Sequence, residues 1–455
     1  VSERLEPPQE GRIKAPLEAP IEKVIAPFVD FVRAQSAGGV ILIAAAALAI
    51  VLASSNAQIL YEDIKHLSLG IQVGEIRYAK SLLHWVNEGL MALFFFLLGL
   101  EIKRELVVGE LSDPRRSLTV VAAAAGGMLA PAIVYVAIAG PEHYVGWGVP
   151  IATDTAFALA ILILLRRFVS PALRAFLIGF AILDDLGAIA VVAIFYTASL
   201  NWALVGLAGI LVFAGLICNL MGARAPLVYL LVGVGVWISL LESGIHGTVA
   251  GVVMAAIAPM KPVVKQAKFV EIVRDRLRQF RAAHRRDRPI IEREQQQAMA
   301  EEIRDAAVMV TTPLRRWERR LDAPVSLVIL PVFAFLNAGL HLELTRLAGF
   351  VGHPVFLGVA GGLLIGKPVG VWASTFVAVR LGLCDLPDGV RFSHVAGVAL
   401  LAGIGFTMSV FIAGLAFPSD AELLDTAKAA ILASSVVAAL VGFLWLRIGG
   451  ALARR

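Results

Sequence analysis

The stretch FLIGFAILDDLGAIAVVAIFYT, Phe176 to Thr197, is long enough to cross a bilayer and is apolar except at its middle, where Asp184 and Asp185 stand side by side. A carboxylate at the centre of a bilayer costs about 2.5 kcal/mol or more on insertion scales, so two in succession need a reason. Intramembrane acids usually mark ion or proton pathways, and plain helix-interface polarity is the weaker reading. Neighbouring residues on a helix point about 100° apart, so the two carboxylates cannot both face one spot. One can face an aqueous cavity while the other meets an adjacent helix.

The rest of the chain is equally apolar. Of its 455 residues 58% are hydrophobic, only 16% are charged, and 41 are glycine. That is too apolar for a soluble globular protein, and it matches the Gly and Pro tolerance of membrane helices. The net charge of +5 and pI near 9.3 fit basic cytoplasmic loops, and no nucleic-acid partner is expected. Cys218 and Cys384 lie far apart with no metal-ligand pattern beside them, which argues against a disulfide framework or a zinc site. Residues 1–35 are polar and lack the plan of a signal peptide. The chain starts at Val1, so its natural start is expected to be absent or processed.

Apolar runs recur at about 37–54, 86–106, 118–139, 148–165, 172–197, 202–220, 226–241, 244–259, 323–340, 354–379, 394–416 and 426–447. They predict an all-α polytopic membrane protein of about twelve transmembrane helices, eight in residues 37–259 and four in 321–447. With the N-terminus cytoplasmic, the inside loops hold Lys103, Arg104, Arg115, Arg116, Arg166, Arg167, Arg224, Arg380, Arg391, Arg447, Arg454 and Arg455, and the outside loops little beyond Lys65, Arg77, Lys80 and Arg346. This asymmetry places both termini inside the cell.

Four segments fall outside the spans. Residues 1–36 read as a cytoplasmic tail ending in a surface helix, with Ile25, Phe28, Val29 and Val32 at helical spacing. Within about 68–80, GIQVGEIRY (70–78) alternates about Gly74-Glu75, which predicts a short extracytoplasmic β-hairpin. A lone hairpin is marginal in water, so it is expected to pack on something, a partner subunit included. Residues 260–320 carry two helical stripes, Phe269, Val270, Val273, Leu277 and Phe280, then Met299, Ile303, Ala307 and Val310. These predict a cytoplasmic helical loop, basic and solvated, touching anionic lipid. Residues 448–455 form a cytoplasmic C-terminal tail.

Three further features sit at membrane depth. Asp154 lies in GVPIATDTAFALAIL (148–162) between Thr153 and Thr155, just after Pro150. Lys367 lies in LLIGKPVGVWAS (363–374), followed at once by Pro368. Gly403, Gly405 and Thr407 interrupt LLAGIGFTMSVFIAGLAF (400–417). Non-helical backbone at that depth is tolerated only where it faces protein or a watery cavity. One interrupted span in each half of a chain points to inverted-topology repeats with two crossing helices and a site at the midplane. Gly358, Gly362, Gly366 and Gly370 fall at four-residue spacing and read as helix packing. For Thr153 and Thr155 two uses stay open, bonds to their own helix backbone or to an ion. Lys367 is the natural counter-charge for one aspartate, being too deep to snorkel. Carboxylates, hydroxyls and carbonyls suit a small hard cation. A carboxylate can hold either a proton or a metal ion, and competition at one site gives exchange.

At this point the motifs become recognisable. FFFLLGLEIKREL (94–106), ATDTAFALAIL (152–162), ILDDLGAIAVVA (182–193), GIHGTVAGV (244–252), LPVFAFLNAGL (330–340), GKPVGVW (366–372) and GIGFTMSVFIAGLAF (403–417) resemble the NhaA family of sodium/proton antiporters, itself a standard example of inverted repeats. They occur in family order across most of residues 37–447. The resemblance implies exchange of protons for Na⁺ or Li⁺ across the inner membrane by alternating access, electrogenic and pH-regulated, with no cofactor and no enzymatic activity. By motif, Asp185 is similar to the ion and proton carrier, Asp184 to its partner, and both to the transient Na⁺ ligands. Lys367 resembles the lysine that pairs with Asp184, and Thr153 and Asp154 the broken-helix pair. Glu101, Arg104, Glu105, Glu318 and His246 match residues tied to pH response, and the hairpin matches one that joins two subunits. Two departures stand out: Arg319 and Asp322 replace histidines frequent after the glutamate, and the loop before Glu318 is unusually long.

Three competing classes have weaker support. A proton-coupled carrier of a small organic solute would favour aromatic residues near Asp185, where threonines and acids stand instead. An intramembrane aspartyl protease needs two separate aspartates able to share a proton, one usually in GxGD, and this chain offers DDLG. A zinc enzyme lacks its HExxH.

Overall fold

A computed structural model describes residues 37–73, 76–109, 114–165, 167–197, 200–262, 264–282, 294–341 and 349–452. The expected tail and surface helix at 1–36, the hairpin turn at 74–75, Arg166, Arg346 and residues 453–455 lie outside them. Helix α1 (Ala37–Ala53) bends by 117° into the short α2 (Gln58–His66). Strands β1 (Ser68–Val73) and β2 (Ile76–Ser81) then pair antiparallel, from Ser68 opposite Ser81 to Val73 opposite Ile76. A π turn at Trp85–Leu90 leads into α3 (Met91–Val108), and α4 (Pro114–Ala139) follows.

The next span is split. A 3-10 helix, Pro141–Ile151, meets α5 (Thr155–Leu164) at a 44° bend. Helix α6 (Pro171–Phe195) starts cleanly, because Ser170 accepts from the Leu173 amide and Pro171 occupies the first turn, where its missing N–H costs nothing. Helices α7 (Trp202–Leu220), α8 (Pro226–Glu242) and α9 (Gly247–Ile257) come next, followed by α10 (Gln266–Ala282) and α11 (Glu294–Val310), which pack on each other.

Helix α12 (Pro313–Pro324) runs through a π turn (Val325–Ile329) into α13 (Leu330–Asn337). It begins well before the expected 323, because Thr312 caps the Arg315 amide with Pro313 in the first turn. Helix α14 (Pro354–Gly361) continues through a π turn (Gly362–Gly366) into α15 (Lys367–Arg380). Lys367-Pro368 therefore does not break its span: the wider turn absorbs the missing proline N–H. Helices α16 (Phe392–Ala402) and α17 (Phe406–Ala416) form a second split span bent by 47°, and α18 (Ala421–Leu452) closes the bundle.

Among the described residues six helices are long and apolar enough to cross a membrane, or nine if each bent pair is one span. The shorter apolar helices α8 and α9 are not in that number. The chain is an all-α, multi-pass membrane protein. Its main core draws on α1, α3 to α6 and α13 to α18, and a second joins α7, α8, α9 and α12 to one side of α3. The glycine stripe acts as packing: a Cβ on Gly370 would lie 2.1 Å from the Gly126 carbonyl oxygen, and one on Gly366 2.7 Å from Pro131 Cα. Only glycine lets α15 and α4 approach backbone to backbone.

Candidate ion-exchange site

The two split spans are broken where their backbones pack against each other. Asp154 is extended, with φ −80° and ψ 93°, and its amide donates to the Ile404 carbonyl across the crossing at 2.6 Å. In the other span a Cβ on Gly403 would meet the Leu363 carbonyl oxygen at 2.5 Å. Each break exposes two helix ends, which carry unsatisfied amides or carbonyls and opposite partial charges.

The buried charges meet those ends. Asp154 Oδ1 accepts from the Phe157 amide at 3.0 Å, capping α5. Its Oδ2 accepts from the Thr407 amide at 3.0 Å and the Thr407 hydroxyl at 2.5 Å, within the first turn of α17. One carboxylate thus serves two helix N-termini, where negative charge is stabilised. A cation belongs at a C-terminus, and there the Lys367 ammonium donates to the Ile151 carbonyl, last residue of the 3-10 helix. The same ammonium pairs with Asp184 Oδ2 at 2.7 Å, both side chains fully buried.

Asp185 is placed differently. Its Oδ2 accepts from the Thr155 hydroxyl at 2.8 Å. Its Oδ1, like Oδ1 of Asp184, is buried and has no hydrogen-bond partner among the described residues, but no ammonium faces its other oxygen. A buried carboxylate oxygen left without a donor is costly unless a proton or cation fills its valence. Neither threonine bonds its own helix backbone: Thr153 donates to the Ala402 carbonyl at 3.0 Å, so its hydroxyl braces the crossing while that of Thr155 addresses Asp185.

The residues matched to pH response divide into two groups. Arg104 bridges Glu105 at 2.7 Å and Glu318 at 3.2 Å, and Arg315 joins Glu318 at 2.9 Å. Glu101 lies one turn away on α3. Beside them Lys103 donates to the Ala256 and Ala258 carbonyls at 2.6 and 2.7 Å, closing the C-terminus of α9. His246 is at the other end of α9, with Nδ1 3.1 Å from Glu88 Oε1 and Nε2 3.1 Å from the Tyr196 carbonyl. The structure does not bring it to the Glu318 cluster.

The family model described as Na⁺/H⁺ antiporter 1 matches residues 29–446. The chain belongs to this family. Among its relatives, the Na⁺/H⁺ antiporter NhaA 1 of Saccharophagus degradans is 43% identical over 95% of this chain and 94% of its own. That of Pseudoalteromonas atlantica is 43% identical over 94% and 91%. The Na⁺/H⁺ antiporter NhaA of Sulfurimonas denitrificans is 42% identical over 96% of this chain and 98% of its own. Members of such a family are transporters and not enzymes.

Several residues of this family member leave little trace in the sequence. Glu88, which accepts from the Gly247 amide at 2.7 Å and so caps α9, shows there only as an acid ahead of an apolar run. Ser435 caps the other broken helix by accepting from the Phe406 amide at 3.1 Å, and a serine in a long apolar helix gives no such signal. The Ile151 carbonyl carries no side-chain signature at all.

Proposed function

We propose that the chain exchanges protons for Na⁺, and for Li⁺, by alternating access across the bacterial inner membrane, with Asp185 carrying proton or ion. The observation that supports this most is the inequality of the two aspartates: each keeps one buried oxygen without a partner among the described residues, but Asp184 is neutralised by Lys367 at 2.7 Å, whereas Asp185 is met only by the neutral Thr155 hydroxyl at 2.8 Å. Proton entry from outside neutralises Asp185, and release inside frees the carboxylate for Na⁺. A neutralised site crosses the low-dielectric barrier at lower cost than a bare anion, and this couples the two fluxes. Asp184 and Lys367 set the energy gap between states, while Asp154 and Thr153 hold the crossing.

In this reading the chain has twelve spans in inverted repeats with both termini in the cytoplasm. Residues 260–320 form a cytoplasmic helical loop near anionic lipid, and the cluster of Glu101, Arg104, Glu105 and Glu318, with His246, adjusts activity to pH. Two copies associate through the extracytoplasmic hairpin. In proteoliposomes the protein is expected to dissipate a pH gradient when Na⁺ is added, and Asp185→Ala to abolish the response. Full activity in that variant would overturn the carrier assignment.

A further inference from the structure

Three threonine hydroxyls surround the crossing, and two are committed to holding it. Thr153 donates to the Ala402 carbonyl, and Thr407 to Asp154. The third, Thr155, makes one hydrogen bond among the described residues, as donor to Asp185 Oδ2 at 2.8 Å. A hydroxyl has one proton to give and two lone pairs, so both lone pairs of this oxygen are free to face a cation. Thr155 is half-buried, whereas Asp185 is 1% exposed.

We propose that the Thr155 hydroxyl is a ligand of the transported cation, completing with Asp185 a site that favours small hard ions. This rests on the reading of Asp185 as carrier. Two oxygens 2.8 Å apart can share one ion at the distance of about 2.4 Å usual for hard cations on oxygen. Thr155 is the first residue of α5 and is branched at Cβ, so its side chain is restricted before an ion arrives. Little ordering is then needed on binding. When the ion enters, the hydroxyl turns its proton away from Asp185 and offers a lone pair.

The test uses the full-length protein in proteoliposomes, with Na⁺ as the varied ion. Thr155→Val and Thr155→Ala are expected to raise the KM for Na⁺ about tenfold, the loss of one contact to a charged group, with kcat changed less than about twofold. Thr155→Ser keeps the oxygen and is expected to restore the wild-type KM. If the hydroxyl only braces the empty carboxylate, its removal leaves the KM unchanged or lowers it, since Na⁺ no longer has to displace it. Either result in a variant that melts like wild type overturns the inference. Thr155→Ala covers the case in which the valine variant does not fold. Asp185→Asn separates the two levels: surviving transport overturns the carrier reading. Its loss, beside a wild-type KM in both Thr155 variants, overturns this inference alone.

Discussion

At the scale of single residues, Lys367 connects the two kinds of charge problem that the fold has to solve. Its ammonium faces both the Asp184 carboxylate and the carbonyl end of a broken helix. Removing one partner of a buried ion pair leaves an uncompensated charge, at a cost of about 3–5 kcal/mol. Replacing both with apolar or neutral groups costs far less. Lys367→Ala is therefore expected to melt well below wild type in detergent, and the double variant Asp184→Asn/Lys367→Met to melt above the single one. A double variant no more stable than the single would show that the pair is not what Lys367 stabilises. The charged members of this site are legible in the sequence, because a charge inside an apolar run stands out against its neighbours. Their partners are not: Ile151 acts through its backbone carbonyl and Ser435 through an ordinary hydroxyl on a distant helix. The sequence marks Lys367 as a counter-charge, but an adjacent Asp-Asp pair says nothing by itself about which member turns towards it.

At the scale of helices, period and punctuation report most of the fold. The split at Asp154 and the split at Gly403–Gly405 are readable, since a charge or a glycine pair in mid-span disfavours a continuous helix in lipid and is at home where the span breaks against protein. Lys367-Pro368 carries the same signal and yet lies in a continuous helix, because a π turn absorbs the proline; that choice depends on the packing around it. The stripe along α10 is half right: Phe269, Val273 and Phe280 turn partly inward, whereas Val270 and Leu277 are 52% and 44% exposed. A pattern that counts apolar residues cannot tell the two faces apart at the edge of a stripe. The glycine row offers a test at this scale. At Gly370 a methyl group would be driven to 2.1 Å from a backbone oxygen, and backbone yields less readily than a side chain. Gly370→Ala is expected to cost about 1–3 kcal/mol, the usual range for overpacking, and to lower the melting temperature. A variant melting like wild type would mean that α15 can slide along α4, and that the close approach is not required.

At the scale of the whole molecule, the buried residues divide into two cores, and the proposed site belongs to one of them. The crossing, the buried ion pair and the tight glycine contacts all belong to the main core, in which α4, α5, α6 and α14 to α17 meet the 3-10 helix. Helices α7, α8 and α9 form the second core with α3, and α7 buries little of itself within the chain, presenting Ile210, Phe213 and Leu220 outward. An outward apolar helix is at ease in lipid, where no hydrophobic force drives association. The hairpin is different, because two strands alone are marginally stable and leave edges unpaired. Its β1 is held to the bundle by the Trp85 indole, which donates to the Leu69 carbonyl at 2.9 Å, so it is anchored on one side. If two copies associate through it, removing residues 69–80 and joining the ends with a short Gly-Ser linker should turn a dimer into a monomer in light scattering. The proposed ion site lies in the main core, so each monomer should keep Na⁺-dependent proton movement in proteoliposomes. A dimer that survives the deletion would move the interface to another surface. Loss of transport in a well-folded monomer would show that the two copies work as one unit.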